Sequence, residues 1–385
     1  MSEWKRVKLR DCVEEIDERT TENNQYEVLT SSKSGIYSQE DYFDKQVASK
    51  DNTGYKIIKR GQFTYRSMSD NGTFTINRLE NKDIGIVSPA YPVFEAISIN
   101  PEYLKYFFQS EGFRKAIYNL SQGSTRTALK YKDLSNIEIL LPPIDEQEKI
   151  VKILKNIDYI IEKYEEVLKE KDKFIKTKFV EMFGNIDNSK FCKEKIKNLV
   201  DRNIVSVKKT YNKEDVIEYI DISSIDKEKH IIDLTTKYIV KNAPSRAQQC
   251  LIKNDILLST VRPNLKNIAI LKNCIKNAVG SSGFCILRCN KKCNYQYLFN
   301  VINTDKFTND MVLKTTGSNY PAIKDKDVLE YFVPVPPIEL QNQFAEIVKQ
   351  IDKQKLLLEK QKQNYEKLKK GLMQKLLTGK VKVKI

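Results

Sequence analysis

The stretch that decides the fold runs from Gly123 to Asp158, GSTRTALKYKDLSNIEILLPPIDEQEKIVKILKNID, and returns from Gly317 to Asp352 as GSNYPAIKDKDVLEYFVPVPPIELQNQFAEIVKQID. The second copy is displaced by 194 residues, and 14 of the 36 aligned positions are identical without a gap. Solenoid repeats are shorter, at roughly 20 to 50 residues. The repeat therefore predicts a duplicated domain with its linker, in a molecule with approximate two-fold symmetry.

Each Pro-Pro pair in the repeat is followed by a pattern typical of a long helix. Apolar residues recur mostly at alternating steps of four and three, which is the heptad pattern of a coiled coil. We call these stripes seam 1, after Pro142-Pro143, and seam 2, after Pro336-Pro337. Seam 1 comprises Ile150, Leu154, Ile157, Ile161, Tyr164, Leu168, Ile175 and Met182, interrupted by Lys171 and Lys178; seam 2 comprises Phe344, Val348, Ile351, Leu358, Tyr365, Leu368, Leu372 and Leu376, with polar Lys355, Lys362 and Lys369 at seam positions.

The two helices are predicted to end at Gly184-Asn185 and at Thr378-Gly379, which makes each of them roughly 60 Å long. A rod of this length has to bury its apolar stripe, and the obvious partner is the other rod. The alternative is two independent surface helices, each packed on its own domain. Apolar residues outside the seams are predicted to be a docking surface for protein partners: Ile153, Ile160, Val167, Phe174 and Ile347.

The remaining two segments are predicted to be mixed α/β domains. Short β-rich runs, such as Ile84–Val87 and Phe284–Leu287, are separated by Gly, Asn, Asp and Ser turns. A short amphipathic helix is predicted over Pro101–Leu120, and its counterpart around Tyr297 and Phe307 lies at the same offset of 194. The predicted organisation is a domain at 1–142, a helix at 143–184, a domain at 185–336, and a helix with a tail at 337–385.

Charge is distributed unevenly between these segments. The net charge of +15 indicates a polyanionic partner. Residues 1–142 contain 20 basic and 20 acidic side chains, whereas residues 185–336 contain 25 basic and 16 acidic ones. If both domains bind nucleic acid, the first has to do so through a local patch rather than through an overall field.

Composition also bounds the cellular class of the protein. No apolar run approaches the roughly 20 residues of a membrane span, and the first residues lack the apolar centre of a signal peptide. The 7 cysteines lie at irregular positions and fit reduced thiols. We therefore expect a soluble, cytoplasmic protein. Cys274, Cys285, Cys289 and Cys293 leave zinc as an alternative, but they lack paired C-x-x-C spacing, and Cys285 fits a buried strand.

With these features the chain resembles the specificity (S) subunit of type I restriction-modification systems. The resemblance covers the whole order of domain, helix, domain, helix. One departure is Leu340, where the first copy has Glu146. The motifs that carry the resemblance are LPPIDEQEKIVKILKNID at 141–158, VPPIELQNQFAEIVKQID at 335–352 and KKGLMQKLLTGKVKV at 369–383.

The resemblance implies an α/β (α+β) fold with two globular target recognition domains and two long antiparallel helices between them. Each domain would read one half of a bipartite, asymmetric DNA site, and helix length would set the interval between the halves. The helices would dock two methyltransferase (M) subunits, and restriction (R) subunits would join them. S-adenosylmethionine, ATP and Mg²⁺ are then expected on the partner subunits, and no cofactor or metal on this chain.

The sequence lacks the catalytic motifs that would argue against a purely binding role. The Pro-Pro pairs lack the preceding Asn or Asp of an adenine methyltransferase turn, and no Gly-rich cofactor loop or G-x-x-x-x-G-K-S/T phosphate loop is present. His230 is the sole histidine, which argues against His-pair metal sites. Two alternatives remain open: a scaffold that binds nucleic acid without sequence choice, and the recognition part of a bifunctional restriction and methylation enzyme.

Candidate DNA-binding residues are polar side chains in Gly/Ser-rich or strand-edge settings. Arginine can pair with guanine through two hydrogen bonds and asparagine with adenine, whereas lysine and serine more often hold phosphate. We single out Arg66, Arg126 and Arg262, because each is an isolated arginine that flanks a turn in a lysine-dominated chain. The full set is Tyr65, Arg66, Asn71, Arg78, Ser124, Thr125, Arg126, Lys130 and Lys132 in the first domain, and Arg246, Thr260, Arg262, Asn264, Lys266, Ser318, Asn319, Tyr320 and Lys324 in the second.

Overall fold

The structure is a computed structural model that describes residues 4–42, 49–69, 72–120, 127–201, 203–317 and 321–381. The chain forms two compact units. Unit 1 comprises Met1–Glu165 and Glu359–Ile385, and unit 2 comprises Glu166–Leu358. Each unit holds a sheet-bearing domain and one part of each long helix. The predicted fold class, mixed α/β with two such domains and long helices, is confirmed.

Unit 1 is built from short strands, four short helices and the first part of a long helix. Its strands are β1 (Lys5–Lys8), β2 (Val13–Ile16), β3 (Leu29–Ser32), β4 (Gly35–Ser38), β5 (Lys56–Lys59), β6 (Phe63–Thr64), β7 (Met68–Ser69), β8 (Asn77–Arg78), β9 (Ile84–Val87), β10 (Val93–Ala96), β11 (Thr127–Ala128) and β12 (Glu138–Leu141). Its helices are α1 (Gln39–Tyr42), α2 (Pro101–Gln109), α3 (Glu111–Leu120), α4 (Tyr131–Ser135) and α5 (Ile144–Phe183), which continues into unit 2.

The domain of unit 1 closes on itself just before α5 begins. β1 pairs antiparallel with β12, so that Lys5 lies opposite Leu141. A four-stranded sheet runs in the order β2, β10, β6, β8, and its Phe63 and Phe94 are fully buried with rings stacked 5.5 Å apart. α2 and α3 pack on the same core, to which Phe113 belongs. The pairing of the first and last strands brings the domain's start to the base of the helix.

Unit 2 repeats the closing strand pair of this plan and arranges its other strands differently. Its strands are β13 (Lys193–Lys195), β14 (Val200–Asp201), β15 (Val216–Ile220), β16 (Ile225–Asp226), β17 (Ile231–Ile232), β18 (Thr236–Ile239), β19 (Ala247–Cys250), β20 (Ile256–Ser259), β21 (Ile268–Ile270), β22 (Ala278–Ser281), β23 (Phe284–Cys289) and β24 (Phe332–Pro334). Its helices are α6 (Val207–Thr210), α7 (Tyr295–Ile302), α8 (Asp305–Val312), α9 (Asp325–Leu329) and the first part of α10 (Ile338–Leu376).

Two four-stranded sheets form the domain of unit 2. β13 pairs with β24 just as β1 pairs with β12, and an antiparallel sheet runs in the order β14, β23, β20, β21. The other sheet has the order β18, β15, β22, β19, in which β15 and β22 are parallel. This sheet has its own small core around Ile217 and Val279. The described part of unit 1 has no four-stranded counterpart to it, which fits the divergence of the two copies in sequence.

In each unit the two long helices run antiparallel and are joined by ion pairs. Successive partners advance by seven residues on α5 and retreat by seven on α10, which is the antiparallel order at heptad spacing. Tyr164 and Tyr365 lie between two such pairs, with ring centroids 5.8 Å apart. The partnership of the two helices is therefore confirmed. The described ion pairs between them are Asp158 with Lys369 and Glu165 with Lys362 in unit 1, and Asp172 with Lys355 in unit 2.

Identical residues of the repeat make the same hydrogen bonds at the start of both long helices. In unit 1, Gln147 Nε2 donates to Pro142 O at 2.8 Å, and Gln147 Oε1 accepts from Asn100 N at 2.8 Å. In unit 2, Gln341 makes the equivalent bonds at the same two distances, to Pro336 O and from Asn294 N. Both glutamines are buried. Each therefore ties the first turn of a long helix to the cap of the short helix that precedes it, α2 or α7.

Leu340, the departure from the first copy, is explained by its surroundings. In unit 1, Trp4 Nε1 donates to Glu146 Oε2 at 2.8 Å. The equivalent residues in unit 2 are Phe191 and Leu340, and both pack against that domain's apolar core. Phenylalanine has no N–H to offer a carboxylate. An apolar pair has therefore replaced a hydrogen-bonded one.

Two predicted details differ in the structure, whereas the predicted end of α5 is confirmed. The helix predicted over 101–120 is broken at Ser110, whose backbone is extended with φ −72° and ψ 156°. Leu368, assigned to seam 2, is 48% exposed, because the seam passes through the neighbouring Lys369 instead. α5 ends at Phe183 and Gly184 follows with φ +73°, a left-handed conformation that favours glycine. Among the described helices, none is long and apolar enough to span a membrane.

Candidate nucleic-acid interface

Two loops that the sequence marks as candidates meet in unit 1. β6 leads through Tyr65–Ser67 into β7, and β7 pairs antiparallel with β11, which begins at Thr127, four residues after Gly123 of the repeat. Leu129 N also donates to Ser67 O at 2.9 Å. We call this meeting point junction 1, comprising Arg66–Ser69 and Ala128–Lys130. The segment after β6 is thus hydrogen-bonded to the segment that leads through α4 and β12 to the long helix α5.

Unit 2 contains the same arrangement, which we call junction 2 (Thr260–Arg262 and Pro321–Lys324). Ile323 N donates to Thr260 O at 2.9 Å, and a β-bridge joins Val261 to Ala322. A second bridge joins Ala322 to Thr316, at the base of the loop that Gly317 begins. Ile323 and Ala322 correspond to Leu129 and Ala128 at the offset of 194. The repeat therefore places an equivalent loop pair in each unit.

Junction 2 also holds a third loop. The N–H and the hydroxyl of Thr260 both donate to Gly283 O at 3.0 Å. Ser282 N donates to Arg246 O at 2.8 Å, which brings the exposed Arg246 to the same group of loops. Reasoning from sequence missed Ser282 and Gly283, although the Ser-Ser-Gly triplet at 281–283 is a turn signal. Three loops of unit 2 are thus bonded into one surface.

Arg262 has an unusual backbone conformation in this surface. Its φ of 49° and ψ of 63° are left-handed, and Pro263 follows it. Arg262 N donates to Pro321 O at 2.8 Å, which binds the residue to the opposite side of junction 2. A side chain other than glycine pays about 1 to 2 kcal/mol for this conformation, and such strain is found preferentially at functional sites. The exposed guanidinium is therefore carried by a fixed backbone.

The structure places the predicted site residues in three groups. Those that are exposed include one arginine at junction 1, one at junction 2, and Arg246, which is bonded to the third loop. Lys132 and Asn264 lie beside the junctions, in α4 and in the turn at Pro263–Leu265. The exposed residues are Arg66, Lys130, Lys132, Arg246, Arg262, Asn264 and Lys324.

Four other predicted residues are held inside their units. Tyr65 is fully buried, its hydroxyl donates to Leu129 O at 3.2 Å, and burial raises its pKa above the ordinary value. Thr260 is buried beneath Gly283. Arg78 donates to Glu102 at 2.9 Å and to Gly61 O at 3.0 Å. Lys266 pairs with Asp305. Each of these four side chains therefore has a bonding partner within its own unit.

The remaining predicted residues lie outside the residues that the structure describes. They belong to the two Gly/Ser-rich stretches of the repeat and to the stretch of sequence after Ser69. They are Asn71, Ser124, Thr125, Arg126, Ser318, Asn319 and Tyr320.

Nothing in the described residues forms a metal centre: no three His, Cys, Asp or Glu side chains come together there in a way that could hold an ion. Cys285 is 2% exposed within β23, as expected for a small strand residue. Burial raises the pKa of its thiol, which disfavours the thiolate that zinc requires. Cys274, by contrast, is exposed.

The chain is similar in sequence to two specificity subunits. The chain is 28% identical over 303 residues to the type I restriction enzyme MjaVIII specificity subunit of Methanocaldococcus jannaschii, covering 72% of this chain and 70% of that protein. It is 29% identical over 308 residues to the putative MjaX specificity subunit of the same organism, covering 74% and 69%.

The fold is also similar to solved structures. A chain from a structure of type I R-M system assembly and conformational transition matches with a TM-score of 0.58, 18% identity and 99% coverage of both chains. The type I S subunit from M. genitalium matches with a TM-score of 0.51, 15% identity and coverage of 97% and 96%. The model of the type I restriction modification DNA specificity domain matches residues 1–171 and 188–367, one copy in each half of the chain. The protein therefore belongs to the type I restriction-modification DNA specificity family.

Proposed function

We propose that this chain reads a bipartite, asymmetric DNA site, with one half bound by each unit, and performs no chemistry itself. The observation that carries the proposal is the paired loop junction, built at equivalent positions in both units. Its supporting backbone is repeated, whereas its exposed side chains differ between Arg66 in unit 1 and Arg246 and Arg262 in unit 2. Equivalent backbones that carry different exposed side chains are suited to binding two different DNA half-sites.

The long helices supply a separate surface for protein partners. On α5, Ile160, Val167 and Phe174 recur every seven residues outside seam 1, and Phe174 is 51% exposed, whereas Ile153, one heptad earlier, packs against the core of unit 1. The acidic partners of the α10 lysines lie on other positions of the same helix, so this stripe is free of the ion pairs described above. An apolar stripe at heptad spacing fits a helix or apolar groove of a partner. We assign it to the two methyltransferase subunits.

The chemistry belongs to those partners in this account. Methyltransferase subunits would bring S-adenosylmethionine, and restriction subunits would bring ATP and Mg²⁺. This chain would bind no cofactor or metal, and it would act in the cytoplasm, where its DNA target lies. Its own contribution is to position the duplex through phosphate contacts and to select the sequence through base contacts.

The proposal is tested by binding of the assembled complex to a pool of random duplexes at moderate salt. Selection should enrich two short motifs separated by an interval of constant length. Because phosphate contacts carry no sequence information, equal affinity for all duplexes would indicate the scaffold without sequence choice. Methyl transfer by this chain alone would indicate the bifunctional enzyme instead.

A further inference from the structure

We propose that Leu313 contacts DNA, packing against a thymine methyl group in the half-site that unit 2 reads. This inference rests on the proposed function, since it adds an apolar contact to the polar surface of junction 2. It concerns a residue that neither motif nor composition marks.

Leu313 is held in solvent by a rigid turn. It is 84% exposed, more than any other large apolar side chain among the described residues. Its N–H donates to Asn309 O at 3.1 Å, and the next two N–H groups donate to the carbonyls of Met311 and Val312 at 3.0 and 3.1 Å. Met311 is fully buried in the domain core. The exposure of Leu313 is therefore fixed by the fold rather than by a frayed end.

Leu313 lies next to the reading surface. Thr316, three residues further along, is bridged to Ala322 of junction 2. Three residues of chain span at most about 11 Å, so Leu313 is within that distance of Thr316. Lys314 and Lys324, which border the same loop, are both exposed.

These surroundings favour DNA over a protein as the occupant. Lysines beside the loop suit phosphates, which position a duplex. An apolar side chain next to them then meets the base edges, and thymine is the base that presents a methyl group there. A contact of this kind recognises thymine, whereas arginine pairs with guanine and asparagine with adenine.

The same placement recurs in unit 1, which strengthens the inference. α3 ends with Tyr118 and Leu120, 64% and 54% exposed, immediately before the other Gly/Ser-rich loop. Earlier in the same helix, Phe113 and Ile117 are 1% and 3% exposed. In both units, therefore, exposed apolar side chains lie at the C-terminal end of a helix whose other large apolar side chains are buried.

The test uses the complex of the full chain with its methyltransferase and a duplex carrying the selected site. Leu313→Ala should weaken binding about fourfold, the factor expected from one buried methyl or methylene group. Replacing one thymine of that half-site by deoxyuridine, which removes only the methyl group, should weaken wild-type binding to a similar extent. The same replacement should not weaken Leu313→Ala any further.

Leu234→Ala is the matched control, because Leu234 is 67% exposed between β17 and β18, and its binding should equal wild type. Wild-type affinity for Leu313→Ala, additive losses with deoxyuridine, or a half-site without thymine would each overturn the inference. Loss of assembly with the methyltransferase in the absence of DNA would assign Leu313 to a protein contact and also overturn it. A wild-type complex without any sequence preference would instead refute the proposed function.

Discussion

Lys362 of α10 donates to Glu165 of α5, with 2.6 Å between Nζ and Oε1. Lys362 occupies a seam position and is only 23% exposed. The hydrogen bond that Lys362 donates to Glu165 raises the pKa of Lys362 above its ordinary value, so the ammonium group stays charged at neutral pH. The lysines that interrupt seam 2 are therefore paired across the helices rather than left in an apolar interface.

Reversing one member of this pair should weaken the helix pairing. Lys362→Glu places two carboxylates together, and we expect a loss of about 1 kcal/mol in the free energy of unfolding, diminishing in high salt. Urea denaturation at low and high salt measures it. Glu165→Lys combined with Lys362→Glu should recover most of the loss, and a double variant no better than the single ones would show that the pair does not contribute.

The buried glutamines should be more important than their surface neighbours. Gln341→Ala leaves Pro336 O and Asn294 N without their partner, and each buried polar group left unpaired costs about 1 to 3 kcal/mol. We expect Gln341→Ala to lower the free energy of unfolding by about 2 kcal/mol. Gln343→Ala, two residues away on the exposed side of α10, should change it by less than about 0.5 kcal/mol. Equal effects in denaturation would contradict this role.

Trp4 and Glu146 should be exchangeable only as a pair. Trp4→Phe removes the donor to Glu146 Oε2, whose other oxygen, Oε1, is already buried without a hydrogen-bond partner. We expect a loss of about 1 to 2 kcal/mol in the free energy of unfolding. Adding Glu146→Leu reproduces the side chains of Phe191 and Leu340, and should restore much of the stability. Thermal unfolding of wild type and the two variants measures this, and a double variant that is less stable than Trp4→Phe would argue against it.

His230 should make unit 2 less stable in mild acid. Its Nδ1 hydrogen-bonds to Ile268 O at 3.0 Å and its Nε2 to Asn303 Nδ2 at 3.1 Å, an arrangement that suits the neutral ring. Burial chiefly lowers its pKa, Lys176 and Lys266 add to the effect, and the bond to Ile268 O and the charge of Asp172 oppose it.

The sign of the pH dependence follows from this shift. Because the unfolded chain takes up the proton at a higher pH, near 6.5, stability from this group is complete above about that pH. It is lost as pH falls towards the lower pKa of the folded state. Thermal unfolding between about pH 8 and 5 should show a steeper loss for wild type than for His230→Gln, which has no group to titrate there. Parallel curves would exclude His230 as a contributor.

The sequence was sufficient to predict the helices because their signals are local and repeated. The Pro-Pro pairs, the heptad seams and Gly184 predict the bounds of α5 to within about two residues. The partners of the seam lysines were missed, since Asp158 and its equivalents lie at positions that a single helix presents as solvent-exposed. Their role as ion-pair partners of the lysines can be inferred only when the register of the second helix is known.

The sequence marks the region of the candidate interface but not which of its side chains are buried. The Gly/Ser-rich stretches at Gly123 and Gly317 were identified by their place in the repeat, and in the structure Ala128–Leu129 and Pro321–Ile323, which follow them, bond to the segment after an inner strand. Tyr65 and Thr260, however, are buried, although the sequence predicts both at the surface. Each lies directly after a strand, where the alternation of buried and exposed positions ends, so the sequence pattern does not predict its burial. Arg262 and Tyr65 both lie within three residues of the end of a strand, yet Arg262 is exposed and Tyr65 is fully buried.

The central claim is that each unit reads one half of a two-part DNA site. It is tested most directly by mapping methylated adenines in a host that carries this chain and its methyltransferase, before and after residues 185–336 are replaced by those of a relative. The account predicts a two-part methylated motif with a constant interval, of which only one half changes on replacement. An uninterrupted motif, or a change in both halves, would contradict it.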